Sequence, residues 1–228
     1  MNVLKGKKIV FNGDSICQGV DEPGGYGKYI ADRNEMQYQN IGIGGGTIAK
    51  NTTRFSQSQK RDVPRHCICG TIQQMDADAD YAIVEGGVND ASLDTPVPLG
   101  AISDGYSAEL DETTFYGAFE SMLRQLIIRF EGKKIGYIAV HKMTPGYTAE
   151  GAAPNYYHAA KECCAKWGVP FLDLNTSVPP FRYFEADGLP ELYALRQKYT
   201  CNGDGWHPNR EGYLKYYCDK IEAWLKTL

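Results

Sequence analysis

Five short apolar runs, each separated from the next by a longer stretch, restrict this chain more than any other feature. They are Lys8–Asn12, Tyr38–Ile43, Tyr81–Glu85, Ile135–Val140 and Pro170–Leu174. Most are apolar nearly throughout, as expected of strands covered on both faces rather than of half-exposed strands with alternating polarity. Several of the intervening stretches have helical periodicity. Phe115, Phe119, Met122, Leu123, Leu126, Ile127 and Phe130 repeat on one face, with Thr113 or Thr114 placed to cap the start and Gly132 to end it. Tyr156, Tyr157, Ala160, Cys163, Cys164 and Trp167 form a second stripe that stops at Gly168. A third carries Tyr213, Tyr217, Ile221, Trp224, Leu225 and Leu228, with Pro208 just before it. Weaker helical patterns cover Gly27–Glu35 and the region from Arg65 to Met75.

Strand and helix in alternation predict an α/β fold, a three-layer α/β/α sandwich around a parallel, roughly five-stranded sheet of flavodoxin-like appearance. The length of 228 residues suits one such domain over 1–228, since no Pro/Gly/Ser-rich linker or internal repeat divides it. Hydrophobic residues make up 43% of the chain, enough for a sizeable core. The net charge of −4 and the lack of a basic block argue against nucleic acid as a partner. No apolar run approaches the roughly 20 residues of a membrane span. The N-terminus lacks the apolar core and cleavage site of a signal peptide, so a cytoplasmic location is expected. Seven cysteines (17, 67, 69, 163, 164, 201 and 218) form no C-x-x-C, which points to small buried apolar side chains rather than a metal site. No cofactor is expected, and oligomeric state is not readable.

Ligands of open α/β sheets bind beyond the carboxyl ends of the strands. Two long connections, Ala91–Glu112 and Val178–Cys201, follow strands and are expected to rim the site. Four shorter segments carry chemistry. Gly13-Asp14-Ser15 follows the first run and offers a hydroxyl on a tight turn, although all three residue types are also ordinary turn formers. Asp204-Gly205-Trp206-His207-Pro208-Asn209 offers a histidine with a carboxylate three residues earlier, within reach of the ring Nδ1. Helix capping would explain Asp or Asn here but not the histidine. Asn40 to Thr47, with glycines at 42, 44, 45 and 46, and Gly86-Gly87-Val88-Asn89-Asp90 offer hydrogen-bond donors: backbone N–H groups that glycine leaves accessible, and the non-titrating amide of Asn89. A dinucleotide fingerprint starting at Gly42 fails, because its last position is Thr47 and it follows the second strand. A nucleophile elbow G-x-S-x-G fails at Cys17.

Serine, glycine, asparagine and histidine in this order, with these flanking residues, resemble the SGNH hydrolase superfamily, the GDSL-type esterases. The resemblance rests on Gly13-Asp14-Ser15-Ile16, Gly44-Gly45-Gly46-Thr47, Gly87-Val88-Asn89-Asp90 and Asp204 to Asn209, and spans nearly the whole chain. It departs from the family's usual pattern at Cys17 and Val88, where the family often has Thr or Ser and Thr. It implies Ser15 as nucleophile, His207 as base then acid, and Asp204 as the group that orients it. It also implies an oxyanion hole of the Ser15 N–H, the Gly45 N–H and the Asn89 side chain, with Gly44 the alternative among three consecutive glycines. The expected activity is hydrolysis of carboxylic esters, with a short acyl group such as acetyl on a small molecule or carbohydrate. The alternatives are a non-catalytic carbohydrate- or ligand-binding module, or a thioesterase or lysophospholipase-type acylhydrolase. Asp14, His141 and Trp206 are candidate substrate contacts. Trp206 is read first as packing, with sugar stacking the lesser alternative, and His141, like Lys142, could equally face solvent. Aromatics at Tyr106, Phe181, Tyr183 and Phe184 are expected near the substrate.

Overall fold

A computed structural model of the chain describes residues 2–92, 97–143 and 152–228. In chain order it contains β1 (Lys8–Asn12), α1 (Ser15–Gln18), α2 (Gly25–Asn34), β2 (Gln37–Asn40), β3 (Thr53–Ser56), β4 (Arg61–Pro64), β5 (Tyr81–Glu85), α3 (Phe115–Arg129), β6 (Lys134–Ala139), α4 (Ala152–Trp167), β7 (Phe171–Asp173), α5 (Leu174–Ser177), α6 (Pro190–Lys198), α7 (Arg210–Gly212) and α8 (Asp219–Leu225). A π-helical segment, Tyr213–Cys218, joins α7 to α8.

The central sheet is five-stranded and parallel, in the order β2-β1-β5-β6-β7, which is the flavodoxin-like order. Its strands alternate between two cores, as the two-residue period of a strand requires. Val10, Ala82, Val84, Tyr137 and Ala139 face α3, α4 and the 3₁₀ turn Cys69–Gln74. Ile9, Phe11, Ile83, Ile138 and Val140 face α2 and the C-terminal helix. Both faces being covered explains why the strands read as unbroken apolar runs. Thr114 is the residue that caps α3, its side chain accepting the Gly117 N–H at 3.2 Å. The seven cysteines are unpaired, and all but the half-buried Cys67 are buried. Among the described residues no helix is long and apolar enough to cross a membrane.

The expected strands β1 and β5 occur with the bounds read from the sequence; β2 is shorter, ending at Asn40. The region after β2 departs from expectation. An antiparallel ribbon of β3 and β4 stands apart from the sheet, pairing Arg54 with Val63 and Phe55 with Asp62. The second long connection, 178–201, is not an open loop: it contains α6 and two short 3₁₀ turns.

Candidate active site

The carboxyl end of β1 sets the first element. Gly13 lies so close to Cys17 and Glu85 that a Cβ there would come within 2.6 Å of the Cys17 Cβ, so the turn into α1 closes only around glycine. Asp14 caps α1 by accepting the Ile16 N–H at 2.9 Å. Ser15 follows with its hydroxyl facing a cleft.

The histidine arrives from the far end of the chain. Ser15 Oγ lies 3.0 Å from His207 Nε2, and His207 Nδ1 lies 2.7 Å from Asp204 Oδ2. The other oxygen of Asp204 accepts the N–H groups of Trp206 at 2.7 Å and His207 at 3.0 Å. Burial raises the Asp204 pKa. The His207 ring and the two N–H groups outweigh it and hold the carboxyl below its usual range, so Asp204 is an anion facing the imidazole.

Arg196 fixes this loop from behind. It is fully buried and, among the described residues, has no carboxylate partner. Its Nε donates to Gly205 O at 2.8 Å, its Nη2 to Lys142 O at 2.6 Å and its Nη1 to Phe181 O. Burial pushes its pKa down to about 10, still charged at neutral pH. One guanidinium thus ties the histidine loop to the segment after β6 and to the turn after α5. Thr200 adds a second tie by accepting the Gly205 N–H at 2.9 Å.

The segment after β2 carries four glycine N–H groups, and three are occupied, that of Gly42 by Asn40 Oδ1 at 2.8 Å. Gly44 donates to Gln18 Oε1 at 2.7 Å and Gly46 to Ile43 O at 3.0 Å. Gly45, at φ +77°, has no acceptor for its N–H among the described residues, and neither has Ser15. Asp90, fully buried, anchors the end of this segment by accepting the N–H groups of Ile48 at 2.9 Å and Ala49 at 3.0 Å. Asn89 Nδ2 donates to Gly46 O at 2.9 Å and reaches Asp14 Oδ2 at 3.4 Å.

These groups border one cleft of about 1010 Å³, lined by Ser15, Gln18, Gly44, Gly45, Asn89, Ser92 and His207 and by the β3–β4 ribbon. A hydroxyl bonded to an imidazole, an imidazole bonded to a carboxylate, and unoccupied N–H groups on the same wall form an arrangement able to carry out acyl transfer. Among the described residues no cluster of His, Cys, Asp and Glu is placed to hold a metal ion.

The profile of the GDSL-like lipase/acylhydrolase family matches residues 11–215. The chain belongs to this family. The GDSL-like fold recurs in solved structures. A protein from Lactobacillus plantarum is 25% identical, with a TM-score of 0.74 over 98% of both chains. A lipase/acylhydrolase from Enterococcus faecalis is 19% identical, with a TM-score of 0.60 over 97% of this chain and 96% of that one. A family two carbohydrate esterase from Clostridium thermocellum, solved with cellohexaose, is 16% identical, with a TM-score of 0.61 over 97% of this chain and 64% of that one. No match is found among curated proteins.

The GDSL-like chain brings Ser15, Gly45, Asn89, Asp204 and His207 together, but its other candidates lie elsewhere. Asp14 is fully buried under the turn, where its carboxylate caps α1 and cannot meet a substrate. It sits beside Glu85, a buried acid at the end of β5. Burial, and then the adjacent Asp14, push the Glu85 pKa well up, and burial raises that of Asp14. Two adjacent buried carboxyls resist ionising together, and Glu85 is the one pushed further toward its protonated form. Glu85 was legible only as the last residue of a strand.

His141 is neither a substrate contact nor a solvent-facing residue. It is 1% exposed, stacked on Phe181 with ring centres 4.4 Å apart and bonded through Nδ1 to the Tyr217 hydroxyl. Burial, with help from the charge of Arg196, holds its pKa well below the usual imidazole value. Trp206 is half-buried against the core that holds Phe181 and Tyr217 and is not among the residues that line the cleft.

None of the expected loop aromatics Tyr106, Phe181, Tyr183 and Phe184 lines the cleft. Phe181 and Phe184 are buried, and Phe184 lies under Arg196. Tyr106 stacks edge-on against Trp167. No described residue of 178–201 lines the cleft. From 91–112 only Ser92 does so among the described residues, with positions 93–96 outside them. The β3–β4 ribbon supplies the wall instead, through Thr53, Arg54, Phe55, Gln57 and Asp62, with Arg65 just beyond.

Proposed function

We propose that the cleft hydrolyses carboxylic esters through an acyl-enzyme. His207 Nε2 takes the Ser15 proton as Oγ bonds to the acyl carbon, and the carbonyl electron pair moves onto oxygen. The Ser15 and Gly45 N–H groups receive that oxyanion. Asn89 joins them by turning the amide hydrogen that makes its long contact to Asp14. The bond to the leaving oxygen then breaks, and that oxygen takes the proton from His207. Water repeats the sequence and releases the acid, restoring Ser15. Asp204 holds the ring in the tautomer with Nδ1 protonated and balances the imidazolium.

The observation that carries this reading is the continuous chain from Ser15 Oγ to His207 to Asp204, at 3.0 and 2.7 Å, beside two N–H groups that have no acceptor among the described residues. A non-catalytic binding module has no need of that chain. The unoccupied N–H of Gly45, with that of Gly44 taken by Gln18, supports Gly45 over Gly44 as the glycine donor.

The acyl group we propose is short, acetyl being the first choice, on a polar alcohol such as a carbohydrate. The lining supports this. Apart from Ile43 and Phe55 the wall is built of Gln, Thr, Ser, Arg, Asp, Asn, His and glycine, a poor surface for a long acyl chain. A series of p-nitrophenyl esters of increasing chain length, run beside acetylated sugars, tests it. Turnover should be highest at acetyl and fall with each added pair of methylenes. A maximum at eight carbons or more would reverse the proposed chain length.

A further inference from the structure

The β3–β4 ribbon brings positive charge to the cleft. Its register pairs Arg54 with Val63, so Arg54 lies on the opposite face from Asp62, whose partner is Phe55. Arg65, two residues beyond Val63, falls on the Arg54 side. Both guanidinium groups reach the same glycine. A Cβ built on Gly45 would lie 2.8 Å from Arg54 Nη1 and 3.6 Å from Arg65 Nη1. Arg65 is held there by backbone acceptors, through Nη1 to Gly45 O and Nε to Thr53 O, both at 3.2 Å. Arg54 is exposed and has no hydrogen-bond or ion-pair partner among the described residues.

Two like charges converging on one point repel each other, and an anion placed between them relieves that repulsion. The point in question adjoins the Gly45 N–H, beside the position where the ester carbonyl would sit. Asp62 is the one acid among the described residues of the cleft wall.

We propose that the substrate ester carries a second, anionic group, a carboxylate or phosphate, and that Arg54 with Arg65 binds it against the Gly45 turn. This inference rests on the esterase reading and narrows its substrate class. It also assigns the ribbon a role, since these two short strands contribute nothing to the sheet.

The test compares wild type with Arg54→Gln and Arg54→Lys on two pairs of near-isosteric esters. In one pair the charge is on the alcohol side: 4-acetoxybenzoate against 4-acetoxybenzamide. In the other it is on the acyl side: p-nitrophenyl hydrogen succinate against p-nitrophenyl 4-oxopentanoate. Each kcat/KM is divided by the ester's rate with hydroxide. Wild type should prefer the anionic member of at least one pair. In that pair the anionic-to-neutral ratio should fall about 10–100-fold in Arg54→Gln, the scale of one charge-assisted hydrogen bond, and be largely kept in Arg54→Lys. The pair that responds identifies which side of the ester bears the charge. A ratio unchanged by Arg54→Gln in both pairs, or a wild-type preference for both neutral members, overturns the inference. Hydrolysis of the neutral members reports separately on the esterase reading and on folding of the variants. If wild type cleaves none of the four esters, that reading fails and this inference fails with it.

Discussion

Gln18 Oε1 accepts the Gly44 N–H at 2.7 Å, whereas the N–H of the next residue, Gly45, has no acceptor among the described residues. Gln18 ends α1, three residues after Ser15, so the turn that carries the proposed nucleophile also braces the neighbouring glycine segment.

Removing that brace should separate alignment from stability. Gln18→Ala is expected to lower kcat about 10-fold while changing stability by less than about 1 kcal/mol, because one partly exposed hydrogen bond is lost and no cavity forms. Asn89→Ala removes a donor directly and should lower kcat by about 10²–10³. Steady-state kinetics and urea melts on both variants check this. A Gln18→Ala enzyme with wild-type kcat would detach Gly44 from the chemistry.

Arg196 should matter for both folding and turnover. Arg196→Leu strips donors from the buried carbonyls of Gly205 and Phe181 and from the part-buried carbonyl of Lys142 at once. A loss of about 3 kcal/mol or more is expected from several unmet buried acceptors. Gly205 lies between Asp204 and His207, so kcat should fall even at temperatures where the variant is folded, with Arg196→Lys recovering part of it. Denaturant melts paired with kcat at low temperature check this. A variant that is destabilised but fully active when folded would confine Arg196 to packing.

His141 predicts a pH dependence of stability. Its pKa in the folded protein is depressed, whereas in the unfolded chain it is about 6.5. Its contribution is therefore complete above pH 6.5 and is lost as pH falls, because the unfolded chain takes up a proton that the folded protein excludes. The slope from this group approaches about 1.4 kcal/mol per pH unit. His141→Gln removes that proton uptake, so wild type should lose stability more steeply than the variant between pH 6.5 and 5. Urea melts across that range test it, and parallel curves would contradict it.

The fold was legible wherever burial on both faces left its mark on sequence. β1 and β5 are flanked by strands and covered by helices, and their apolar runs end where their pairing ends. The ribbon was not legible. Thr53-Arg-Phe-Ser and Arg61-Asp-Val-Pro are short and polar and bury almost nothing, and their turn uses Lys60 at φ +52° in place of a glycine signal. Of the site, Ser15, Gly45 and Asn89 follow strand ends, and Asp204 and His207 lie just before the Asn209 cap of α7, positions that sequence marks well. His141 also follows a strand. It is buried because Phe181 and Tyr217, from distant parts of the chain, close over it, and no local pattern carries that information.

The central claim is that Ser15 is a nucleophile activated by His207 and Asp204. Treatment with a fluorophosphonate followed by peptide mass spectrometry measures this directly. The account predicts one adduct, on Ser15, absent in Ser15→Ala and formed far more slowly in Asp204→Asn. An adduct on another residue, or none on wild-type protein, would contradict it.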